Sequence, residues 1–167
     1  LIYLPLGGAG EIGMNAYVYG YGETGRERLI VIDLGVTFGD MDSAPGIDLI
    51  MADMGWLEAN RDRIEAIFIT HGHEDHVGAL GLLWPKLQKP VHCRRFTGAL
   101  ARLKLEEAGQ PTDQLHIHAP RPDVVQAGPF SVQFVPVSHS IPESSALVID
   151  TPAGRIVHTG DFKLDGT

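Results

Sequence analysis

Cysteine is nearly absent from this chain, and so are long apolar runs. Cys93 is the single thiol in 167 residues, so no intrachain disulfide can form, as is usual in a reducing compartment. No stretch approaches the ~20 consecutive apolar residues that a membrane-spanning helix needs. No basic segment followed by an apolar one marks a secretory signal either. These absences predict a cytoplasmic protein without a membrane partner, in which Cys93 packs in the core.

Positive charge is also scarce. The chain carries 13 Lys and Arg against 21 Asp and Glu, a formal net charge of −8. Such a surface does not attract phosphate groups. If the substrate is a nucleic acid, metal ions or residues outside this segment must supply most of the positive field. The 44% hydrophobic content is enough for one core, which predicts a single domain.

The segment from His71 to His76 concentrates metal-ligating side chains. It reads His-Gly-His-Glu-Asp-His, and imidazole and carboxylate together suit zinc and related divalent ions. The apolar, β-branched run at 66–70 predicts a buried strand, so the cluster lies where a strand ends. His71 and His73 point to the same side of an extended backbone, whereas Asp75 and His76 can face a second metal. The helical zinc-protease pattern needs histidines four residues apart, which this cluster does not provide.

Three further residues come just after predicted strands. They are Asp33, His139 and Asp161. One histidine or aspartate after a strand is more often a turn or cap residue. Together with the histidine cluster, however, they form the set of strand-end ligands that a rigid metal site on a sheet needs.

Residues 8–13 read Gly-Ala-Gly-Glu-Ile-Gly, with Asp33 twenty residues beyond the last glycine. This spacing is similar to a dinucleotide-binding fingerprint. The fingerprint requires a helix to begin at its third glycine, so that the helix N-terminus meets the pyrophosphate. Residues 14–28 carry a β-rich run and several glycines instead. We therefore predict a tight corner between strands, beside a metal site.

Hydrophobic periodicity and turn residues predict a mixed α/β chain. The segment at 36–50 is predicted to be a loop, and Pro85 is expected to end or kink its helix. Strands are predicted at 2–6, 15–19, 29–32, 64–70, 90–93, 130–136, 146–150 and 155–158, and helices at 54–60, 78–87 and 96–108.

The remaining histidines and Glu74 receive structural interpretations. His92 is expected in a short buried strand, His116 and His118 beside a polar turn, and His158 in packing. Glu74 is interpreted as a surface carboxylate or as a partner of a ligand, because a metal-activated water needs no separate base.

The order Asp33, His-x-His-x-Asp-His, His139, Asp161 resembles the metallo-β-lactamase superfamily. Longer stretches at 6–13, 67–76, 139–142 and 158–163 resemble its bacterial ribonuclease J group, whose members carry a β-CASP insertion. Two departures touch no expected ligand. Glu143 stands where Asp is expected, and Met14 where Lys is common.

The resemblance implies an αββα sandwich that holds two metal ions at one sheet edge. Residues 1–167 would form its first, incomplete portion, with the β-CASP domain and the rest of the catalytic domain expected after residue 167. Two Zn²⁺ are implied, with Mn²⁺ or Mg²⁺ as alternatives. Asp33 would orient a ligand histidine through a hydrogen bond. The resemblance assigns His71, His73 and His139 to one metal, Asp75 and His76 to the other, and Asp161 as the bridge.

The implied activity is hydrolysis of RNA phosphodiester bonds, as a 5′-to-3′ exonuclease, an endonuclease or both. A hydroxide bridging the two zinc ions would attack phosphorus, with Asp75, His76 and Asp161 acting through it. A homo-oligomer of the full-length protein is expected, and the segment alone is expected to be inactive. The alternative is a hydrolase of the same fold acting on a small ester, thioester or lactam. The metal motifs alone do not separate these two functions.

Overall fold

The computed structural model describes residues 1–39 and 44–164. Its strands are β1 Ile2–Gly7, β2 Ala16–Tyr21, β3 Arg28–Ile32, β4 Val36–Phe38, β5 Leu49–Met51, β6 Ile64–Phe68, β7 Val91–Cys93, β8 Leu115–Ile117, β9 Val125–Ala127, β10 Phe130–Pro136, β11 Ser145–Thr151 and β12 Gly154–His158. Its α-helices are α1 Gly55–Ala59, α2 Glu74–Val77, α3 Leu80–Leu87 and α4 Arg95–Glu107, and a 3-10 turn spans Arg61–Arg63.

The first sheet has six strands in the order β1-β2-β3-β6-β7-β8. The pairs β1–β2 and β2–β3 are antiparallel, whereas β3, β6, β7 and β8 run parallel to one another. Parallel strands bring their carboxyl ends to one edge of the sheet, where loops carry functional residues. The strand β6 therefore delivers the histidine cluster to the edge that also receives the end of β3.

The second sheet is antiparallel, in the order β12-β11-β10-β9. Two hydrophobic cores fill the spaces between the layers. One includes Leu29, Ile67 and Leu80 and lies between the helices and the first sheet. The other includes Phe68 and Phe134 and lies between the two sheets. The described residues thus form three layers of an αββα sandwich, with helices on one side.

The outer face of the second sheet carries no helix among the described residues. Val157 of β12 is 58% exposed there. None of the helices in the described part of the chain is long and apolar enough to cross a membrane.

The structure confirms most predicted elements and corrects several. The segment predicted as a loop at 36–50 contains β4 and β5, which pair as a two-stranded ribbon. Residues 40–43 of that loop lie outside the described residues. The predicted helix at 78–87 corresponds to α3, which begins at Leu80, and the short helix α2 before it was not predicted. Pro85 lies inside α3, two residues before its end.

Two further short strands, β8 and β9, are not predicted from the sequence. His116 was expected beside a polar turn but lies in β8, with His118 just after it. β9 was not expected either. Each of these strands has three residues, which is too short for an alternating pattern to be visible. The glycine-rich segment at 8–13 leads from β1 into β2 without a helix, so the predicted strand corner is confirmed.

Candidate metal centre

The segment after β3 and the residue before β2 pack closely against α2. The backbone amide of Leu34 donates to the carbonyl oxygen of His76 (2.9 Å), and the amide of Asn15 donates to that of Asp75 (2.9 Å). A β-carbon at Gly35 would overlap the Asp75 carbonyl oxygen, so only glycine permits this approach. The backbone of the histidine cluster is therefore held on both sides by other strands.

Three imidazole nitrogens converge at this edge. His73 Nδ1 lies 3.1 Å from His71 Nε2 and 3.2 Å from His139 Nε2. The donor atoms of these three residues all lie within 4.8 Å of one another. His139 comes from the loop between β10 and β11, so residues far apart in sequence meet here.

A second group of donors adjoins the first. His71, His76 and Asp161 also offer donor atoms within 4.8 Å of one another. His76 Nε2 lies 3.4 Å from a carboxylate oxygen of Asp161 and 3.5 Å from one of Asp75. Asp161 lies 3.8 Å from His139 Nε2 as well, and is therefore next to both groups.

The donor chemistry and spacing fit divalent ions. Ligands of a tetrahedral zinc with bonds of 2.0–2.1 Å lie about 3.3 Å apart. The nitrogen separations of 3.1 and 3.2 Å match this value. Hydrogen bonding explains the convergence less well, because one imidazole nitrogen carries either a proton or a lone pair and His73 Nδ1 faces two others.

Asp33 lies buried beneath the cluster and orients His76. It sits in the left-handed region at φ +64°, where its carboxylate accepts the Thr70 amide (2.8 Å) and the Thr70 hydroxyl (2.9 Å). The same carboxylate lies 2.7 Å from His76 Nδ1. This contact turns Nε2 of the His76 ring toward Asp75 and Asp161.

Burial and charge move the pKa values of these groups in opposite directions. Burial and the charge on His76 lower the pKa of His71 to about 4, so this ring is neutral at pH 7. Burial alone would lower the pKa of His76, but the Asp33 carboxylate outweighs it and raises that pKa to about 9. For the Asp33 carboxyl, burial alone would raise the pKa, but His76 and the Thr70 amide keep it below its usual range.

Asn15 is a site residue that sequence reasoning missed. Its side-chain amide donates to the Asp75 carbonyl oxygen (3.1 Å) and lies 3.1 Å from His76 Nε2. The Tyr17 hydroxyl donates to the other end of the same amide (2.8 Å). The only signal in the sequence is the position of Asn15 just after the glycine-rich corner.

A second missed group anchors the loop that carries His139. Glu143 adopts φ +59°, and its carboxylate accepts a hydrogen bond from the amide of Phe96 at the start of α4. It also accepts one from the buried guanidinium of Arg94 (3.2 Å). The loop is thereby tied to α4.

Two other residues lie outside the donor groups. His158 packs edge-on against Tyr17, with ring centroids 5.1 Å apart, and lies 3.2 Å from the Tyr19 hydroxyl. Glu74 faces away and forms an ion pair with Lys104 (2.8 Å).

The chain resembles long bacterial ribonucleases along nearly its whole length. It is 48% identical to ribonuclease J of Sinorhizobium meliloti over 99% of this chain and 29% of the relative. It is 42% identical to ribonuclease J of Corynebacterium glutamicum over 97% of this chain and 22% of the relative. It is 41% identical to ribonuclease J of Thermus thermophilus over 98% of this chain and 29% of the relative. The chain thus spans less than a third of the length of these curated relatives.

Solved structures show the same fold at low identity. The metallo-beta-lactamase fold protein YhfI from Bacillus subtilis superposes with a TM-score of 0.62 at 19% identity, covering 98% of this chain and 63% of the other. A protein of unknown function from Enterococcus faecalis gives 0.57 at 22% identity, covering 92% and 41%. The sequence model of the metallo-beta-lactamase superfamily matches residues 9–167. The chain therefore belongs to the metallo-beta-lactamase superfamily.

Proposed function

We propose that the protein is a metal-dependent ribonuclease. The observation that carries the proposal is the pair of adjoining donor groups, which share His71, with Asp161 in the second group lying 3.8 Å from His139 of the first. The relatives with 38–48% identity are ribonucleases J, which supports RNA as the substrate. Cleavage would be 5′-to-3′ exonucleolytic, endonucleolytic or both.

The proposed ligand assignment takes the first donor group as one site and, at the other, pairs His76 and Asp161 with Asp75, whereas the second donor group contains His71 in place of Asp75. His71, His73 and His139 would hold one ion, and Asp75 and His76 a second, with Asp161 between them. Zinc is the proposed ion because the first group consists of imidazole nitrogens. Manganese or magnesium would be favoured only by a site richer in oxygen ligands.

The bound ions would lower the pKa of a water molecule and neutralise charge that develops on the phosphate. The residues of the chain keep this site in place. Asp33 fixes the His76 ring, Asn15 holds the Asp75 backbone, and Glu143 ties the His139 loop to α4.

No covalent nucleophile is proposed. Cys93 is buried, and burial raises the pKa of its thiol to about 12, so it stays protonated at neutral pH. A protonated thiol is a poor nucleophile.

Substrate binding also depends on the metal ions. The net charge of −8 repels a polyanion, so bound cations would supply the local positive field at the phosphate. The resemblance to longer ribonucleases is also the basis for proposing that the complete protein acts in the cytoplasm as a homo-oligomer.

The test is cleavage of single-stranded RNA by the protein expressed from its complete reading frame. The His71→Ala, His73→Ala double variant should lose activity by orders of magnitude while remaining folded, because both side chains lie at a strand end. Glu74→Gln is the matched control, since Glu74 is next to them in sequence but faces Lys104, and it should retain activity. Wild-type turnover by the double variant would refute the metal assignment. Hydrolysis of small esters or lactams with no cleavage of RNA would favour the alternative function.

A further inference from the structure

A second cluster of imidazoles lies away from the candidate metal centre. His92 is in β7, His116 is in β8, and His118 follows β8 directly. The parallel pairing of β7 and β8 places His92 opposite His116. His116 and His118 are two residues apart in extended backbone, so they point to the same side. The three rings therefore share one face at the outer edge of the first sheet.

Ring contacts confirm this arrangement. The His92 ring lies 5.1 Å from that of His116 and 4.9 Å from that of His118, measured between centroids. His92 also stacks on Phe68, and His118 stacks on Phe134 of the second sheet. The cluster thus lies at the mouth of the space between the sheets. His92 and His118 are half-buried and His116 is exposed.

Two of the nitrogens already have the spacing of metal ligands. His92 Nδ1 and His118 Nε2 lie 2.8 Å apart, which matches neighbouring ligands at right angles on an ion with bonds of about 2.0 Å and would have to open by about 0.5 Å for a tetrahedral zinc. Without an ion, one ring donates its N–H to the other. Moving that proton to the other nitrogen of the same ring frees both facing lone pairs and leaves the net charge unchanged.

The third nitrogen requires a side-chain rotation. Among the described residues, three donor atoms within 4.8 Å occur at the candidate metal centre and not in this cluster. His116 stacks on His92 and is exposed, so its ring is free to turn toward the other two. Burial lowers the pKa of His92 to about 4 and also lowers that of His118, while the charge of Asp123 acts on His118 in the opposite direction. The lowered pKa values keep the rings of His92 and His118 available to offer a lone pair to a cation.

We propose that His92, His116 and His118 form a second, independent site for a divalent transition-metal ion that prefers imidazole, such as zinc, nickel or copper. The arrangement joins a His-x-His pair at the end of one strand to a histidine on the neighbouring strand, and three histidines are a donor set that zinc accepts. A bound ion would fasten β7 to β8 where the first sheet ends.

The test separates this site from the metal centre by working in the His71→Ala, His73→Ala background. Equilibrium dialysis against zinc should show that adding His92→Gln and His118→Gln removes one bound ion per chain. His116→Gln alone should weaken zinc binding about 10-fold or more, since even the loss of a ligand's hydrogen-bond partner has an effect of that size. Ile117→Val, a change at the residue between His116 and His118, is the matched control and should leave affinity unchanged.

A second measurement uses the same His71→Ala, His73→Ala background, because the amide of Ile69 donates to the His92 carbonyl oxygen (3.0 Å) and an ion near His71 would itself affect β7. Cu²⁺ added to this variant should still broaden the amide NMR signals of β7 and β8. An unchanged zinc count in the fourfold variant would overturn the proposal. Undisturbed signals of β8 in the presence of Cu²⁺ would overturn it too.

Discussion

At the scale of single residues, Asp33 links the backbone to the site. One carboxylate accepts both donors of Thr70 and contacts His76 Nδ1 from a left-handed backbone position. This position costs of order 1–3 kcal/mol for a residue other than glycine. The surrounding hydrogen bonds offset that cost.

Asp33→Ala should lower metal affinity about 10–100-fold without abolishing binding, because it removes the partner of a ligand and not the ligand itself. Asp33→Asn keeps the shape of the side chain but loses its charge. Its metal affinity should lie between that of the wild-type protein and that of Asp33→Ala. Competition with a chromogenic zinc chelator measures both affinities. Unchanged affinity in Asp33→Ala would mean that the His76 contact has no role in metal binding.

Gly35 is the second residue with a distinct requirement. A β-carbon there would overlap the Asp75 carbonyl oxygen, which is backbone and cannot rotate away. Gly35→Ala should therefore destabilise the fold by about 1–3 kcal/mol through overpacking and should also displace Asp75. Urea unfolding gives the stability change.

The control for Gly35 is Gly55→Ala. Gly55 begins α1, and an added β-carbon would approach only a side-chain oxygen of Asp53. Alanine is the better helix former by about 1 kcal/mol in a helix interior, so this variant should be neutral or slightly more stable. Equal destabilisation by both substitutions would contradict the close-approach explanation.

Among the secondary-structure elements, a partly buried ion pair connects the turn before β3 to the 3-10 turn before β6. Arg63 donates to the carboxylate of Glu27, which also accepts the Gly25 amide (3.2 Å). Backbone hydrogen bonds, together with Arg63, hold the pKa of Glu27 below its usual value. A depressed carboxyl pKa stabilises the fold above the unfolded-state pKa, and this contribution is lost as pH falls through the folded-state value.

Glu27→Gln should therefore be less stable than wild type at pH 7, and the difference should shrink below about pH 4, near the unperturbed glutamate pKa. Urea midpoints measured for both proteins across this range provide the test. Asp62→Asn, an exposed carboxylate in the adjacent 3-10 turn, should show no comparable dependence. A difference that stays constant with pH would show that the Glu27 charge is not the stabilising feature.

The sequence predicts elements well where they are long or strongly apolar. The strand at 64–68 and the helix at 95–107 are within two residues of their expected limits. The ribbon of β4 and β5 is not predictable, because each strand has three residues and their pairing depends on tertiary contacts. Local pattern carries no information about that pairing.

The same contrast applies to the site. His71 to His76 are visible in the sequence because metal-ligating residues crowd into one strand-end segment. Arg94 and Glu143 are not, because an ion pair between a helix start and a distant loop has no local signature. The His92 cluster is missed for a related reason, since it depends on β8, a strand too short to recognise.

In the whole molecule, two packed sheets and one helical layer bring residues of the candidate metal centre from four separate segments to one edge. Asp33 follows β3, His71 follows β6, His139 follows β10 and Asp161 follows β12. A net charge of −8 sets a strong requirement for cations wherever a polyanion is to approach. The fold therefore positions the residues that would hold the ions, and the ions would supply the positive charge that a polyanionic substrate needs.

Crystals of the protein grown with zinc, measured at the zinc absorption edge, test whether the three histidines hold an ion. We expect an anomalous peak about 2.0–2.1 Å from His71 Nε2, His73 Nδ1 and His139 Nε2, and its absence from the His71→Ala, His73→Ala variant. A second peak is expected between His76 and Asp161. No anomalous density at the three histidines of the wild-type protein, under conditions where zinc saturates it in solution, would contradict the account.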